Sequence, residues 1–353
     1  MAVTSSQVSR ASGTAQWSHL APTPRRGDRQ ARLVASPQGE RARADGPETM
    51  NSQAGFGEKV AGRVRERESQ IVLGIDPDPG RLWPGAGAAP GDAGPGDEAA
   101  VAAAAVADHC VALIEAAGPA CVAVKPQLAC FERLGAPGRQ ALERTCAAAR
   151  EAGLLVIADG KRGDIDVSAA AYAESLFGGR ESPFGRLPGL GADAITVNPY
   201  MGIDTLETFI GIARPGGDGI FVLVRTSNPG ASDFEDLPTG GGVVWEEVAR
   251  AVERLGVGSG GLSDVGAVVG ATAPEHLARM RELMPSAIFL LPGVGAQGGS
   301  VEALAPAFAP GRAGGLVTAS RSIAGAGEKT GQDPAKAARA EAERLRELAW
   351  SLG

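Results

Sequence analysis

The segment Leu154-Leu-Val-Ile-Ala-Asp-Gly-Lys161 decides the fold expected for this chain. Its first five residues are apolar without interruption, and the charged residues Asp159 and Lys161 follow directly. Continuous apolar character is typical of a strand that is buried on both faces, as in a parallel sheet covered by helices. The segment therefore predicts a buried parallel strand with charged side chains at its carboxyl end.

Further runs of the same kind lie on either side of this segment. They span residues 71–76, 121–125, 194–198, 220–225, 265–269, 288–292 and 315–320. Alanine-rich helical segments separate them, for example 101–117 and 139–152. Eight strand–helix units over roughly 250 residues match the usual size of a TIM barrel, so we predict an α/β fold of the (β/α)8 barrel type. A doubly wound open sheet is the alternative, because periodicity alone does not show closure.

The domain organisation follows from changes in composition. Residues 1–50 are rich in Arg, Ser, Ala and Pro without a sustained apolar period, which predicts a disordered N-terminal extension. We expect residues 51–353 to form a single barrel domain, with a flexible Gly/Ala/Pro/Asp insertion at 85–98. Asp333 and Pro334 are a suitable N-cap and first residue for a final helix that extends to Trp350.

Composition and charge argue against several classes of function. The net charge of -7 argues against a nucleic-acid surface, which needs a basic stripe. The uninterrupted apolar runs are much shorter than a membrane span, and the first residues lack the apolar core of a secretory signal. We therefore expect a cytoplasmic protein without a membrane partner. The four cysteines lack C-x-x-C spacing, which favours buried thiols, and the three histidines lie away from every strand end, which argues against a histidine-bound metal.

Polar residues end most of the predicted strands, where TIM barrels carry their catalytic groups. In chain order they are Asp76, Lys125, Asp159 with Lys161, Asn198, the run Arg225-Thr-Ser227, and Ser320 with Arg321. Asp159 and Lys161 are two apart on a strand, so we expect their side chains on the same face, at the barrel mouth. A lysine between two carboxylates, here Asp159 and Asp164, stays protonated and can donate a proton. A structural ion network is the alternative interpretation.

Two loops add binding groups. The string Pro292-Gly-Val-Gly-Ala-Gln-Gly-Gly299 follows the seventh strand, and glycines allow backbone N–H groups to approach an anion closely. Barrel phosphate sites commonly form after strands seven and eight, and the fork of Arg321 suits phosphate oxygens. The loop 226–234 after the fifth strand carries hydroxyl and amide groups that can bind a pyrimidine edge and close over a ligand, although it can also be only a tight turn.

The string Ala158-Asp-Gly-Lys-Arg-Gly-Asp-Ile165 resembles the D-x-K-x-x-D signature of orotidine 5'-phosphate decarboxylases, particularly the longer bacterial group. Motifs of that group are matched in order at 192–200, 221–230, 291–299 and 319–323, and the resemblance covers residues 56–323. It implies a phosphate-binding (β/α)8 barrel that converts orotidine 5'-phosphate to uridine 5'-phosphate and CO2 in de novo pyrimidine biosynthesis, without metal or cofactor.

The resemblance also implies roles for individual residues. Lys161 would protonate C6 of the pyrimidine, and Asp159 would lie near the departing carboxylate. The implied substrate contacts are Asp76 and Lys125 to the ribose, Ser227 to the pyrimidine, and Gly293, Gly295, Gln297 and Arg321 to the phosphate. Asp164 and Ser168 would complete the site of a second subunit, so a homodimer is implied. Ser168 stands where the family usually has threonine, and Asp166 where glycine is common.

Three other functions remain open from the sequence. One is a related barrel that uses magnesium to stabilise an enediolate, which chelators would inactivate. Another is an aldolase that forms a Schiff base through Lys161, although flanking carboxylates keep that lysine protonated and poorly nucleophilic. The third is a nucleotide-binding barrel without turnover.

Overall fold

The computed structural model describes residues 54–85, 87, 94–258, 261–271, 276–293, 301–328 and 331–352. The predicted extension at 1–50 therefore lies outside the described residues, as does the middle of the predicted insertion at 85–98. Residues 51–353 belong to one compact unit.

Helices lie between most of the consecutive barrel strands along the described chain. The helices α1 to α10 are, in order, Phe56–Arg67, Glu98–Ala117, Leu128–Glu132, Gly135–Glu151, Asp166–Phe177, Ile203–Ala213, Val244–Leu255, Leu277–Leu283, Arg321–Ala324 and Pro334–Trp350. The strands β1 to β12 are, in order, Ile71–Ile75, Ala123–Pro126, Leu155–Arg162, Arg180–Ser182, Gly185–Leu187, Ala194–Val197, Gly219–Arg225, Pro238–Thr239, Gly242–Val243, Val265–Val269, Phe289–Leu291 and Gly315–Ala319. The predicted final helix is confirmed, and Asp333 caps it by accepting a hydrogen bond of 2.9 Å from the backbone N–H of Lys336.

Eight of the described strands close into a parallel barrel in the order β1-β12-β11-β10-β7-β6-β3-β2. Each of them coincides with one of the predicted apolar runs. The alternative of an open sheet is wrong. The two ends of this strand order, β1 and β2, pair with each other in parallel, so the sheet has no free edge. The pairs β4–β5 and β8–β9 are short antiparallel hairpins in the loops outside the barrel.

The continuous apolar runs are explained by burial on both faces. In β1, Ile71 and Leu73 pack in the cluster between the barrel and its helices, whereas Val72 packs in a second cluster inside the barrel. Helix α1 covers the amino end of this interior. Its Phe56 lies edge-on against the ring of Phe221 with centroids 5.7 Å apart.

Helix α2 is a membrane-span candidate by length and composition that the short apolar runs of the sequence did not reveal. Of the described helices, the segment Glu98–Ala120 alone is long and apolar enough to cross a membrane, with a mean hydropathy of 1.6. Half of that segment is buried in the protein, where α2 packs against α4 and α10. The alanine-rich helix itself was predicted at 101–117, but uninterrupted apolar runs do not reveal it as a membrane candidate, because Asp108 and His109 interrupt its apolar residues. Its packing is that of a wall helix of the barrel.

The four cysteines are free thiols. Cys110, Cys121 and Cys146 are buried and Cys130 is half-buried, which confirms the predicted preference for buried thiols over disulfides. Burial raises the pKa of each of the three buried thiols to about 12. These thiols are therefore protonated and unreactive at neutral pH.

Candidate active site

A cleft of about 630 Å³ opens at the carboxyl end of the barrel strands. The predicted site residues that line it are Asp76, Lys125, Asp159, Lys161, Ser227, Gly293 and Arg321. The strands place these groups together because alternate residues of a strand point to one face. In β3, for example, Leu155 and Ile157 pack inside the barrel, and Asp159 continues the same row into the cleft.

Asp159 is the centre of the charged network in this cleft. Its Oδ2 atom accepts a hydrogen bond from the ammonium of Lys125 and one of 3.3 Å from Gln127 Nε2. Its Oδ1 atom accepts from Lys161 Nζ at 2.7 Å and from Thr196 Oγ1 at 2.9 Å. Each carboxylate oxygen thus has two donors, so the carboxyl group is held in one orientation.

The charges around Asp159 keep it ionised. Burial by itself raises the pKa of this carboxyl, but the charges of Lys125 and Lys161 and the hydrogen bonds that they donate outweigh burial and bring the pKa to about 2. The Lys125 side chain is 9% exposed and that of Lys161 is 44% exposed. Both lysines line the cleft, and Lys161 is the more accessible of the two to a ligand.

The backbone at Lys161 departs from a regular strand. Between Ala158 and Arg162 the register of β3 against β6 shifts, so that three residues of β3 face Thr196 alone. Lys161 itself has φ 46°, in the left-handed region that non-glycine residues rarely adopt. The prediction that Asp159 and Lys161 face the same cleft is confirmed. Its stated reason, regular strand alternation, is wrong, because a bulge turns Lys161 towards the cleft.

The ends of the first and eighth strands are joined directly. Ser320 Oγ donates a hydrogen bond of 2.6 Å to Asp76 Oδ2. Residue 74 has to be glycine here, because a Cβ atom would lie 2.7 Å from the Cβ of Ser320. Arg321, the first residue of α9, follows and is exposed in the cleft. Beside it, Trp83 Nε1 donates 2.8 Å to the carbonyl of Ala324 and so fixes the loop after β1 against α9.

The loop after β7 is closed at its base by polar contacts. Arg225 makes a two-point ion pair with Asp236, at 2.9 and 3.0 Å. The backbone N–H and the hydroxyl of Thr226 both donate to Glu235, at 2.9 and 2.8 Å. Arg225 is thus engaged in holding the loop, while Ser227 faces the cleft.

Several cleft residues were missed from the sequence. They are Gln127, Thr196, Leu223, Glu235, Val268, Leu290 and Thr318. The apolar ones make a floor that suits the face of a planar ring. The alternation of side chains along a strand could have identified two of them. Leu223 lies two residues after Phe221, which points into the barrel, and Thr318 lies two residues after Leu316.

Some predicted residues do not line this cleft. Asp164 Oδ1 accepts a hydrogen bond from the backbone N–H of Ile165, and Ser168 lies on the exposed first turns of α5. The side chain of Asn198 caps a turn by accepting from the N–H of Tyr200. Gly295 and Gln297 lie outside the described residues. In the part of the chain that the structure describes, no group of three His, Cys, Asp or Glu side chains is arranged to hold a metal ion.

The fold and the site together define a (β/α)8 barrel protein with a Lys–Asp–Lys centre at the carboxyl-end mouth of the barrel. Comparison with known families narrows this class. The profile of the Orotidine 5'-phosphate decarboxylase / HUMPS family matches residues 69–340, and the chain belongs to that family.

Individual relatives agree with this assignment. A protein of Deinococcus radiodurans named orotidine 5'-phosphate decarboxylase is 42% identical over 271 residues, covering 76% of this chain and 88% of the relative. The solved structure of Leishmania donovani OMP decarboxylase is 33% identical with a TM-score of 0.63, covering 84% of this chain and 98% of that one. UMP synthase of the same organism is matched with a TM-score of 0.65 and 34% identity, over 84% of this chain and 57% of its own length.

Proposed function

We propose that this protein is a carboxy-lyase that converts orotidine 5'-phosphate to uridine 5'-phosphate and CO2, without metal or cofactor, in pyrimidine biosynthesis. The bond between C6 and the carboxylate carbon breaks, its electron pair stays on C6, and CO2 leaves. Lys161 Nζ then gives a proton to C6. The observation that carries the proposal is the half-exposed side chain of Lys161, whose ammonium is held 2.7 Å from Asp159 at the edge of the cleft.

The charged network suits this chemistry because the reaction builds negative charge on a ring carbon. A fixed cation next to that carbon stabilises the charge without having to reorganise during the step. Asp159 holds the ammonium of Lys161 in place and, with a pKa of about 2, remains a carboxylate at neutral pH. The same carboxylate orients the ammonium of Lys161 in the cleft, from which its proton is transferred to C6.

Substrate binding is assigned to the rest of the cleft. Asp76 and Lys125 would contact the ribose hydroxyls, and Ser227 the pyrimidine edge, above the apolar floor. Arg321 and the backbone of Gly293 would hold the phosphate, since a guanidinium fork and glycine N–H groups both suit phosphate oxygens. For Gly295 and Gln297 the same role rests on the sequence resemblance.

A homodimer is part of the proposal. Large apolar side chains are exposed on α5, α6 and the segments before them, a surface that we call the α5–α6 patch: Ile165, Val167, Tyr172, Tyr200, Met201 and Ile203. Val167 is 82% and Tyr200 88% exposed. Exposed apolar patches of this kind mark protein interfaces. Asp164 borders the patch, so a second copy covering it would receive Asp164 and Ser168 beside its own cleft.

The test is the loss of orotate absorbance when EDTA-treated protein is mixed with orotidine 5'-phosphate. We expect rapid turnover that Lys161→Ala reduces by about 10⁴-fold or more, because the proton donor and its charge are both lost. Lys336→Ala, at the start of α10 and not among the residues that line the cleft, is the matched control and should retain wild-type rates. Absence of turnover with wild-type protein, or activity that only magnesium restores, would refute the proposal.

A further inference from the structure

Thr196 lies at the point where the barrel sheet is irregular. Ala158 pairs with Ile195 and Arg162 pairs with Val197, so the three residues from Asp159 to Lys161 face one residue of β6. Thr196 is that residue. It is 1% exposed and occupies a position that points into the barrel.

The bulge leaves the backbone N–H of Lys161 without its usual partner in the strand ladder. The hydroxyl of Thr196 replaces that partner, accepting from Lys161 N at 2.9 Å. The backbone of Lys161 needs such support, because its φ of 46° lies in a region that only glycine adopts without strain.

The same hydroxyl donates its proton to Asp159 Oδ1 at 2.9 Å. A hydroxyl has one proton to donate and lone pairs to accept, and here the backbone N–H can only donate while the ionised carboxylate can only accept. The direction of both hydrogen bonds is therefore fixed. The Oδ1 atom that Thr196 holds is also the atom that accepts from Lys161 Nζ.

We propose that Thr196 is a positioning residue for the proposed decarboxylation, because one hydroxyl fixes both ends of Lys161. It anchors the main chain of the lysine in its left-handed conformation, and through Asp159 it holds the carboxylate that orients the ammonium. Thr196 does not have to touch the reacting atoms for this role. The inference rests on the proposed function and adds to it a residue of β6 that places the proton donor.

The test compares two substitutions at this position with a matched control. Thr196→Val keeps the shape and removes the hydroxyl, whereas Thr196→Ser keeps the hydroxyl. The control is Thr145→Val, because Thr145 is also fully buried and its hydroxyl donates 2.8 Å to a backbone carbonyl in α4, outside the cleft.

Kinetics separate positioning from binding and from general stability. For Thr196→Val we expect kcat to fall by about 10- to 100-fold, since small misplacements of a catalytic group have effects of this size. KM should change by less than about threefold, because the phosphate and ribose contacts remain. Thr196→Ser and Thr145→Val should both retain kcat within about threefold of the wild type. An unchanged kcat in Thr196→Val, or an equal loss in Thr196→Ser, would overturn the inference.

A second readout is independent of turnover. Hydrogen exchange of the peptide that contains Lys161 should be faster in Thr196→Val than in the wild type and unchanged in Thr145→Val, because the amide of Lys161 loses its acceptor. If the wild type did not decarboxylate orotidine 5'-phosphate, the proposed function would fall, while this exchange measurement would still decide whether Thr196 holds the lysine. Unchanged hydrogen exchange in Thr196→Val would refute the proposal that Thr196 anchors the backbone of Lys161. If Thr196→Val does not fold, Thr196→Ala takes its place in both measurements.

Discussion

At the scale of single residues, Asp159 is the common hydrogen-bond acceptor of the site. Two lysines, one amide and one hydroxyl donate to its two oxygens. Lys125 is almost completely buried and is paired with this carboxylate. Breaking a buried ion pair by removing one partner leaves an uncompensated charge, which is far more costly than breaking a pair at the surface.

Replacing Asp159 should therefore lower stability as well as activity. We expect Asp159→Asn to reduce the free energy of unfolding by about 3–5 kcal/mol at pH 7, measured by urea denaturation. Asp108→Asn breaks the exposed pair with Arg144 and should cost no more than about 1 kcal/mol.

The stability difference between wild type and Asp159→Asn should depend on pH. The folded pKa of about 2 lies below the ordinary value of 3.8, so the unfolded chain binds the proton first as the pH falls. The stabilisation by Asp159 is complete above about pH 4 and is lost between that pH and 2. A difference that stays constant from pH 6 to pH 2.5 would contradict this assignment.

Arg321 should affect the chemical step and not only binding. Binding energy from the remote phosphate can organise the charged network, so its loss is felt at the reacting carbon. We expect Arg321→Ala to lower kcat/KM by about 1000-fold or more, with little change in the slow turnover of orotidine, which lacks the phosphate. The control Arg312→Ala removes a guanidinium that stacks on Trp350, on another part of the surface. A kcat/KM for Arg321→Ala near the wild-type value would mean that the phosphate lies elsewhere.

At the scale of elements, side-chain contacts at its base hold the loop after β7 in one shape. Thr226 and Glu235 lie nine residues apart and are joined by two hydrogen bonds. Between them the loop makes a short 3-10 helix, Pro229–Asp233, and brings Phe234 to the cleft. A loop closed at its base in this way moves as one unit when it opens or closes.

Removing Glu235 should loosen this loop. Glu235→Ala leaves the backbone N–H of Thr226 without its acceptor and leaves the hydroxyl only the side chain of Asn228 within the loop, so we expect KM to rise by about tenfold and kcat to change less. Limited proteolysis should also cut the variant within 226–237 sooner than the wild type. Glu282→Ala, on α8, breaks an exposed pair with Arg279 and should leave both measurements unchanged. Equal proteolysis of the two variants would show that the base contacts do not hold the loop.

For the whole molecule, barrel closure brings distant parts of the chain into one cleft. Asp76 and Ser320 are 244 residues apart in sequence and share a hydrogen bond. In the proposed dimer a second chain would also contribute to each cleft. Asp164 and Ser168 lie next to the α5–α6 patch and do not line the cleft of their own chain.

Mixing two inactive variants tests the proposed dimer. If Asp164 acts in the partner's site, a dimer of one Lys161→Ala chain and one Asp164→Asn chain contains one complete site. Random pairing after denaturation and refolding should then recover about a quarter of wild-type activity. Each variant refolded alone serves as the control. No recovery from the mixture would place Asp164 in its own cleft or outside the chemistry.

The sequence determined the strands and the chemical groups at their ends. Strands buried on both faces have to be apolar throughout, so the runs at 71–76 and 154–161 were visible without a structure. Charged residues at the end of such a run have few structural explanations, which made Asp159 and Lys161 stand out. The D-x-K-x-x-D motif added the expected roles.

Only the tertiary structure decided closure, the bulge at Lys161 and the partners of each polar group. Thr196 looks in the sequence like any strand threonine, because its value depends on the register of β6 against β3 and on contacts with Asp159, 37 residues away. Arg225 likewise looks like a ligand-binding residue until Asp236 is placed beside it. Apolar burial is a property of each segment and can be read locally, whereas hydrogen-bond pairing depends on which segments meet, and only the folded barrel brings them together.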